Sequence, residues 1–209
     1  MGRLDGKRAL ITGARKGIGR GIVLALAGEG ASVGINDLVD DEVTQHTRNL
    51  IESHGGRGSV HRGDMSTVNG IHTVIDAFVE SHGGIDILVN NAGTSASGKF
   101  EDIAIDTWKS DIQLKVYGAI YCCLAALPHL KKSSAGRIIN LTTWGGKATP
   151  GGTMPTSLSR AAGISLTKAM SKDYAADGIL VNTVCVGVIK SGQTQRILDR
   201  KSTRLNSSH

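Results

Sequence analysis

Two periodicities alternate along the chain. Arg8–Gly13 (RALITG) is a short apolar run closed by a glycine turn, as expected of a strand buried on both faces. The next stretch, GIGRGIVLALAGEG, spaces Ile18, Ile22 and Leu26 at helical intervals and stops at Gly30. The cycle then repeats. ASVGIND predicts a second strand, EVTQHTRNLIESHGG a helix closed by glycines, RGSVHRGD a third strand and VNGIHTVIDAFVESHGG a third helix. IDILVNNAG follows as a fourth strand, and a long helix is predicted over Asp106–Lys132. GRIINLTT is a fifth strand, Pro155–Ala176 a helix and ILVNTVCVG a sixth strand. Strict alternation with buried strands predicts an α/β fold, a three-layer doubly wound parallel sheet in the order 3-2-1-4-5-6. Repeats, linkers and low-complexity segments are lacking, which predicts one domain over 1–198.

Composition narrows the class without naming a function. Twenty-eight glycines and 40% hydrophobic residues suit a globular protein with many tight turns. The apolar runs fall short of a membrane span. The N-terminus MGRLDGKRALITG has no apolar leader core, and Gly6 stands where a myristoylation signal needs Ser or Thr. Cys122, Cys123 and Cys185 have neither metal-ligand nor disulfide-framework spacing. These features predict a reduced, cytoplasmic protein without a metal. The net charge is +6, but the last eleven residues, DRKSTRLNSSH, match the translation of a common sequencing adapter. Asp199–His209 is therefore expected to be non-native, with the natural sequence cut near Leu198. Without it, three basic residues and one acidic residue disappear and the charge falls to +4. The remaining basic residues are scattered, without the aromatic interleaving of a nucleic-acid surface.

The first strand–helix junction carries candidate chemistry. TGARKGIG places Gly13, Gly17 and Gly19 where a backbone must turn sharply and a helix N-terminus can meet a phosphate. Asp37 ends the second strand, eighteen residues after Gly19. A carboxylate there accepts from both adenosine-ribose hydroxyls and repels a 2′-phosphate, favouring NAD; Arg15 and Lys16 in the loop would attract that phosphate and favour NADP. As a plain turn aspartate, Asp37 would resemble its neighbours Asp40 and Asp41.

TGARKGIG, then GDM at Gly63–Met65, then NNAG at Asn90–Gly93, resembles the short-chain dehydrogenase/reductase family from about Leu4 to Ser191. The resemblance implies a Rossmann fold, with a seventh strand that truncation would remove, and NAD(P)-dependent oxidoreduction. It implies that Asp64 and Met65 face the adenine, that Asn90, Asn91, Ala92 and Gly93 stabilise the sheet and line the cofactor, and that Ile18 lies beside the pyrophosphate. Ser191 matches the segment holding the nicotinamide amide, although Val186 replaces that segment's proline. The family's catalytic Asn, Ser, Tyr and Lys fall on Lys115, Thr143, Thr156 and Arg160.

Those substitutions change the chemistry. A threonine hydroxyl is a far weaker acid than a tyrosine, and Arg160 can hold a ribose but cannot release a proton. Lys115 is the one new ionisable group: a solvated helix lysine, or, beside Arg160, an acid of lowered pKa. Thr156 also suits a helix start, with Thr153 as N-cap and Pro155 in the first turn. Two function classes follow. One is an oxidoreductase of a carbonyl or secondary alcohol with altered acid–base groups. The other is a non-catalytic dinucleotide-binding protein, a sensor or silent subunit. By resemblance, the helices over 106–132 and 155–176 are expected to pair into a homodimer or homotetramer through small and apolar residues including Ala119, Cys122, Ala125, Ala126, Ala161, Ile164 and Ala169.

Overall fold

A computed structural model of the chain describes residues 2–189. Ser191, the tail 199–209 and any seventh strand lie outside the described residues. The elements run β1 (Arg8–Ile11), α1 (Gly17–Gly28), β2 (Ser32–Asp37), α2 (Glu42–Ser53), β3 (Arg57–Arg62), α3 (Val68–His82) and β4 (Ile87–Asn90). After the two-residue β5 (Ser97–Gly98) come α4 (Ile105–Ile112), α5 (Gly118–Leu130) and β6 (Arg137–Thr143). The two-residue β7 (Met154–Pro155), α6 (Thr156–Asp173) and β8 (Leu180–Val186) complete the described chain.

Six parallel strands form the sheet in the order β3-β2-β1-β4-β6-β8. This is the expected doubly wound order, with the short antiparallel pair β5–β7 inserted outside it. Alternating side chains of one strand feed opposite layers. Leu10 and Leu88 pack with Phe78 of α3, Leu130 of α5 and Met170 of α6. Ile11 and Val89 pack with Val23 of α1 and Ile51 of α2. Parallel strands buried on both faces need the near-continuous apolar runs seen in the sequence.

Three expectations are corrected. The predicted helix over Asp106–Lys132 is two helices joined by a π-turn, Gln113–Tyr117. Helix α6 begins at Thr156 and ends at Asp173, and Thr153 does not cap it; the Thr153 hydroxyl donates to the Pro150 carbonyl at 2.7 Å instead. Cys122 and Ala126 do not face outward but sit in the core, in one apolar cluster with Met65 and Ile138. The outward stripe runs from Tyr117 at the end of the π-turn to Tyr121, Leu124 and Pro128 of α5, spaced as one helix face, with Tyr117 and Leu124 exposed and the two tyrosine rings stacked.

Candidate active site

The site lies at the C-terminal ends of the strands, where an open parallel sheet leaves a crevice between loops. Gly13 and Gly17 both take positive φ, +63° and +62°, which lets the β1–α1 loop reverse direction. At Gly19 an added Cβ would stand 2.4 Å from the Gly13 carbonyl oxygen, so α1 can approach the loop only with glycine there. Helix α1 starts after the exposed Lys16 with no side chain capping its first N–H groups, and Ile18 is exposed beside them. Uncapped N–H groups at a helix start suit an anion.

Around this loop the other expected positions take up distinct places. Asp37 ends β2, its Oδ1 accepting from the Leu38 N–H at 2.9 Å. The Arg15 guanidinium forks onto Asp41, with Nε–Oδ1 at 2.8 Å and Nη2 on Oδ2, while Asp37 stays within its electrostatic reach. Asp64 turns its own loop by accepting from the Ser66 N–H at 2.8 Å, and the Met65 side chain is buried against Cys122. The Asn91 amide donates to the Thr12 and Gly13 carbonyls at 2.8 and 2.9 Å. The backbone N–H groups of Asn91 and Ala92 both donate to the Thr12 hydroxyl at 3.0 Å. Asn90 ties β4 to β6 through Asn140 at 2.9 Å, and Asn140 continues to Thr167 of α6 at 2.9 Å.

The catalytic positions converge on the π-turn. The extra residue in this turn shifts the helix register and carries Lys115 to the interior. Its side chain is wholly buried. The ammonium donates to Asp111 Oδ2 four residues earlier and to Thr156 Oγ1 at 2.9 Å. The Ser159 hydroxyl donates to the other Asp111 oxygen at 2.6 Å. Lys115 is therefore not a solvated helix lysine. Burial pushes its pKa down, Asp111 pushes it up and the Arg160 guanidinium pushes it down again, leaving it at about 8.

Thr156 is saturated. Its hydroxyl donates to the Ala96 carbonyl at 2.7 Å and accepts from the Ala96 N–H at 3.0 Å and from Lys115. Arg160 lies one turn along α6, donating through Nη1 to the Leu141 carbonyl at 2.7 Å. Its Nη2 is packed so close to Gly93 that a Cβ there would be 2.8 Å away. Two buried polar atoms, Arg160 Nε and Asn90 Oδ1, have no partner among the described residues. Both residues line a cavity of about 20 Å³ together with Lys115, Asn140 and Thr12, the size of a single water. Thr143 closes β6 beside this cluster but is not hydrogen-bonded into it.

Lys115, Thr156 and Arg160 thus come together as the sequence threading implied. Asp111, Ser159 and the Asp41 partner of Arg15 were not foreseen. The Asp111–Lys115 spacing of four residues on a helix was the available signal. Ser159 and Asp41 give no such signal, since only the tertiary fold brings their partners near.

A model of the short chain dehydrogenase family matches residues 7–202. The chain belongs to that family. Oxidoreductase UcpA of Salmonella typhimurium is 36% identical over 202 residues, covering 94% of this chain and 74% of the relative. A short chain dehydrogenase from Burkholderia cenocepacia, solved in complex with NADP, superposes with a TM-score of 0.87 at 33% identity, over 91% of this chain and 78% of the other. An NAD+-bound xylitol dehydrogenase superposes with a TM-score of 0.88 at 26% identity, over 95% and 75%. The family fold therefore holds either dinucleotide. The glycine loop and the uncapped start of α1 fit such a group in this chain. No helix among the described residues is long and apolar enough to cross a membrane.

Proposed function

We propose that the protein is an NAD(P)-dependent oxidoreductase of a carbonyl or secondary alcohol, with Lys115 instead of residue 156 as its proton donor. The observation that carries this reading is the buried Lys115 ammonium, 2.9 Å from the hydroxyl at the position of the family tyrosine. The glycine loop would hold the pyrophosphate of a dinucleotide, Asp37 its adenosine ribose, and Arg160 would donate to its nicotinamide side while keeping its own proton; the chemistry such a group would supply is hydride transfer to or from the substrate carbon. Reduction leaves an alkoxide. Lys115 uses two of its three N–H groups on Asp111 and Thr156, and the third is free to protonate that oxygen and leave a neutral amine. Thr143, at the strand end, orients the substrate oxygen. Thr156 has no free hydrogen to give, which supports assigning the proton to Lys115.

Asp37 favours NAD over NADP in this reading. The cytoplasm is the expected compartment, and the apolar stripe of α5 suits pairing with a second copy, to be checked by light scattering at micromolar concentration. A second reading, a non-catalytic dinucleotide-binding protein, draws support from one observation: the Lys115 side chain is wholly buried and already paired with Asp111. NADH oxidation across a panel of ketones, run beside calorimetric titration with NADH, separates the two. Turnover supports the enzyme; binding with no turnover on any carbonyl supports the silent binder.

A further inference from the structure

The dinucleotide reading leaves the Arg15–Asp41 pair unexplained. Arg15 stands in the phosphate-binding loop, two residues after Gly13, where a cation would meet a 2′-phosphate. Yet α2 holds it at both ends. Its guanidinium lies as a fork on Asp41, and its backbone carbonyl accepts from the Thr47 hydroxyl at 2.9 Å. Asp41 is itself fixed, because the same carboxylate caps α2 by accepting from the Val43 and Thr44 N–H groups at 3.1 Å each. A two-point arginine–carboxylate pair on a preformed helix cap loses little side-chain freedom, unlike most surface ion pairs. The Arg15 hydrogen bond holds the Asp41 carboxyl well below the usual carboxylate range, so the pair stays ionised across ordinary pH.

We infer that Asp41 is a specificity-determining residue for the dinucleotide, acting by holding Arg15 away from a 2′-phosphate. A 2′-phosphate could recruit Arg15 only by breaking the fork. That would leave the Asp41 carboxylate without its cation. Of the other nearby bases, Arg62 donates through Nε to the Leu38 carbonyl at 3.2 Å, and the exposed Lys16 is unaltered by a change at residue 41, so any pull it has on a 2′-phosphate is the same with and without the fork. An adenosine ribose with free hydroxyls needs none of these rearrangements and meets Asp37 alone. Discrimination thus has two parts, repulsion by Asp37 and occupation of the Arg15 guanidinium by Asp41. Asp41 touches no part of the nucleotide; it is a positioning residue.

The inference rests on the dinucleotide reading, and one set of titrations tests both. NADH and NADPH are titrated calorimetrically into the full chain, into Asp41→Asn and into Asp41→Ser. Asn and Ser both cap helices, so α2 is kept while the charged fork is lost. A freed charge-assisted contact predicts that NADPH binds about tenfold tighter in both variants. NADH should move by less than about threefold, since its ribose needs no arginine. A structural defect would weaken both nucleotides together. The double variant Asp41→Asn with Arg15→Ala should lose the NADPH gain. If it keeps the gain, the effect is the removed negative charge and the inference fails. If the wild type binds NADH but neither Asp41 variant shifts the NADPH-to-NADH ratio, the inference alone is overturned. If the wild type binds neither nucleotide, the dinucleotide reading falls and takes this inference with it.

Discussion

Lys115 and Thr156 lie 41 residues apart and are joined by a hydrogen bond of 2.9 Å, ammonium to hydroxyl. The family resemblance places an asparagine at the first position and the catalytic tyrosine at the second. In this chain an ammonium reaches the hydroxyl that remains. The π-turn makes this reach available, and Asp111 makes the buried charge tolerable.

Lys115→Met should therefore remove turnover while leaving NADH binding within about threefold, a loss on the scale of general acid catalysis, about 10²-fold or more. Thr156→Val should change turnover far less, because that hydroxyl is already committed to Ala96. The pH dependence follows from the sign of the shift. Carbonyl reduction needs the protonated amine, so its rate should fall as pH rises through about 8, and alcohol oxidation should rise over the same range. Steady-state rates in both directions from pH 6 to 10 check this. Abolition of activity by Thr156→Val with Lys115→Met still active would refute the assignment.

The Asp111–Lys115 pair is expected to be costly to break and cheap to replace. Asp111→Asn leaves an ammonium buried without its counter-charge, a change that costs about 3–5 kcal/mol in comparable buried pairs. The reduction limb of the pH profile should also move to lower pH in any folded fraction, since the group that raises the Lys115 pKa is gone. Asp111→Leu combined with Lys115→Met removes both charges and should recover most of the lost stability. Urea unfolding of the three proteins decides it; a double variant no more stable than Asp111→Asn would mean that the surrounding hydrogen bonds of Ser159 and Thr156, and not the unpaired charge, set the cost.

Most of the fold was legible because parallel strands buried on both faces write themselves as apolar runs, and glycines punctuate the elements, Gly13 after the first strand and Gly30 and Gly55–Gly56 after the first two helices. The break in the long helix was not legible. No proline or glycine inside QLKVY marks it off from its flanks, and only the fold shows Gly118, the next residue, lying so close to the Met65 carbonyl that a Cβ would stand 2.4 Å away. At the site, residue types at family spacings placed Lys115, Thr156 and Arg160 together. The carboxylate that raises the Lys115 pKa, Asp111, and the Ser159 hydroxyl bonded to it were not among the positions the resemblance assigned and came only with the packing of α4 against α6.

Between β3 and α3, Ser59 bridges His61 and His82, its hydroxyl 2.7 Å from each Nε2. Both rings pack on Phe78. Burial, then the facing His82, pushes the His61 pKa down to about 4; burial, then Arg57 and Arg8, lowers His82 as well. The folded state thus binds these protons later than the unfolded chain does. Their contribution to stability is whole above about pH 6.5 and is lost as pH falls toward 4. After discounting for partial solvent screening, His61 accounts for about 1–2 kcal/mol of that loss. His61→Gln should flatten the fall in Tm between pH 6.5 and 4.5 relative to the wild type. Parallel curves for the two proteins would rule out His61 as the origin.

Restoring the family's pair tests the whole reading of the cleft. Thr156→Tyr with Arg160→Lys brings back an acid with a pKa near 10 and a lysine to lower it. The structure adds a condition that the sequence did not reveal. The Lys115 ammonium occupies the space just beyond the residue 156 side chain, bound to Asp111, and a tyrosine ring extending from that position must displace it. A displaced ammonium would remain buried next to a second cation at residue 160, which is unfavourable at that depth. The two-residue variant should therefore gain little. Adding Lys115→Asn, which restores the third family residue and clears the space, should raise turnover on simple ketones by about tenfold to a hundredfold over the two-residue variant. Its pH dependence should lose the step near 8 that belongs to Lys115. Calorimetric titration with NADH confirms that each variant keeps a binding site. If the two-residue variant already reaches the three-residue rate, Lys115 does not stand in the way of residue 156, and the buried ammonium has some role other than replacing the family's acid.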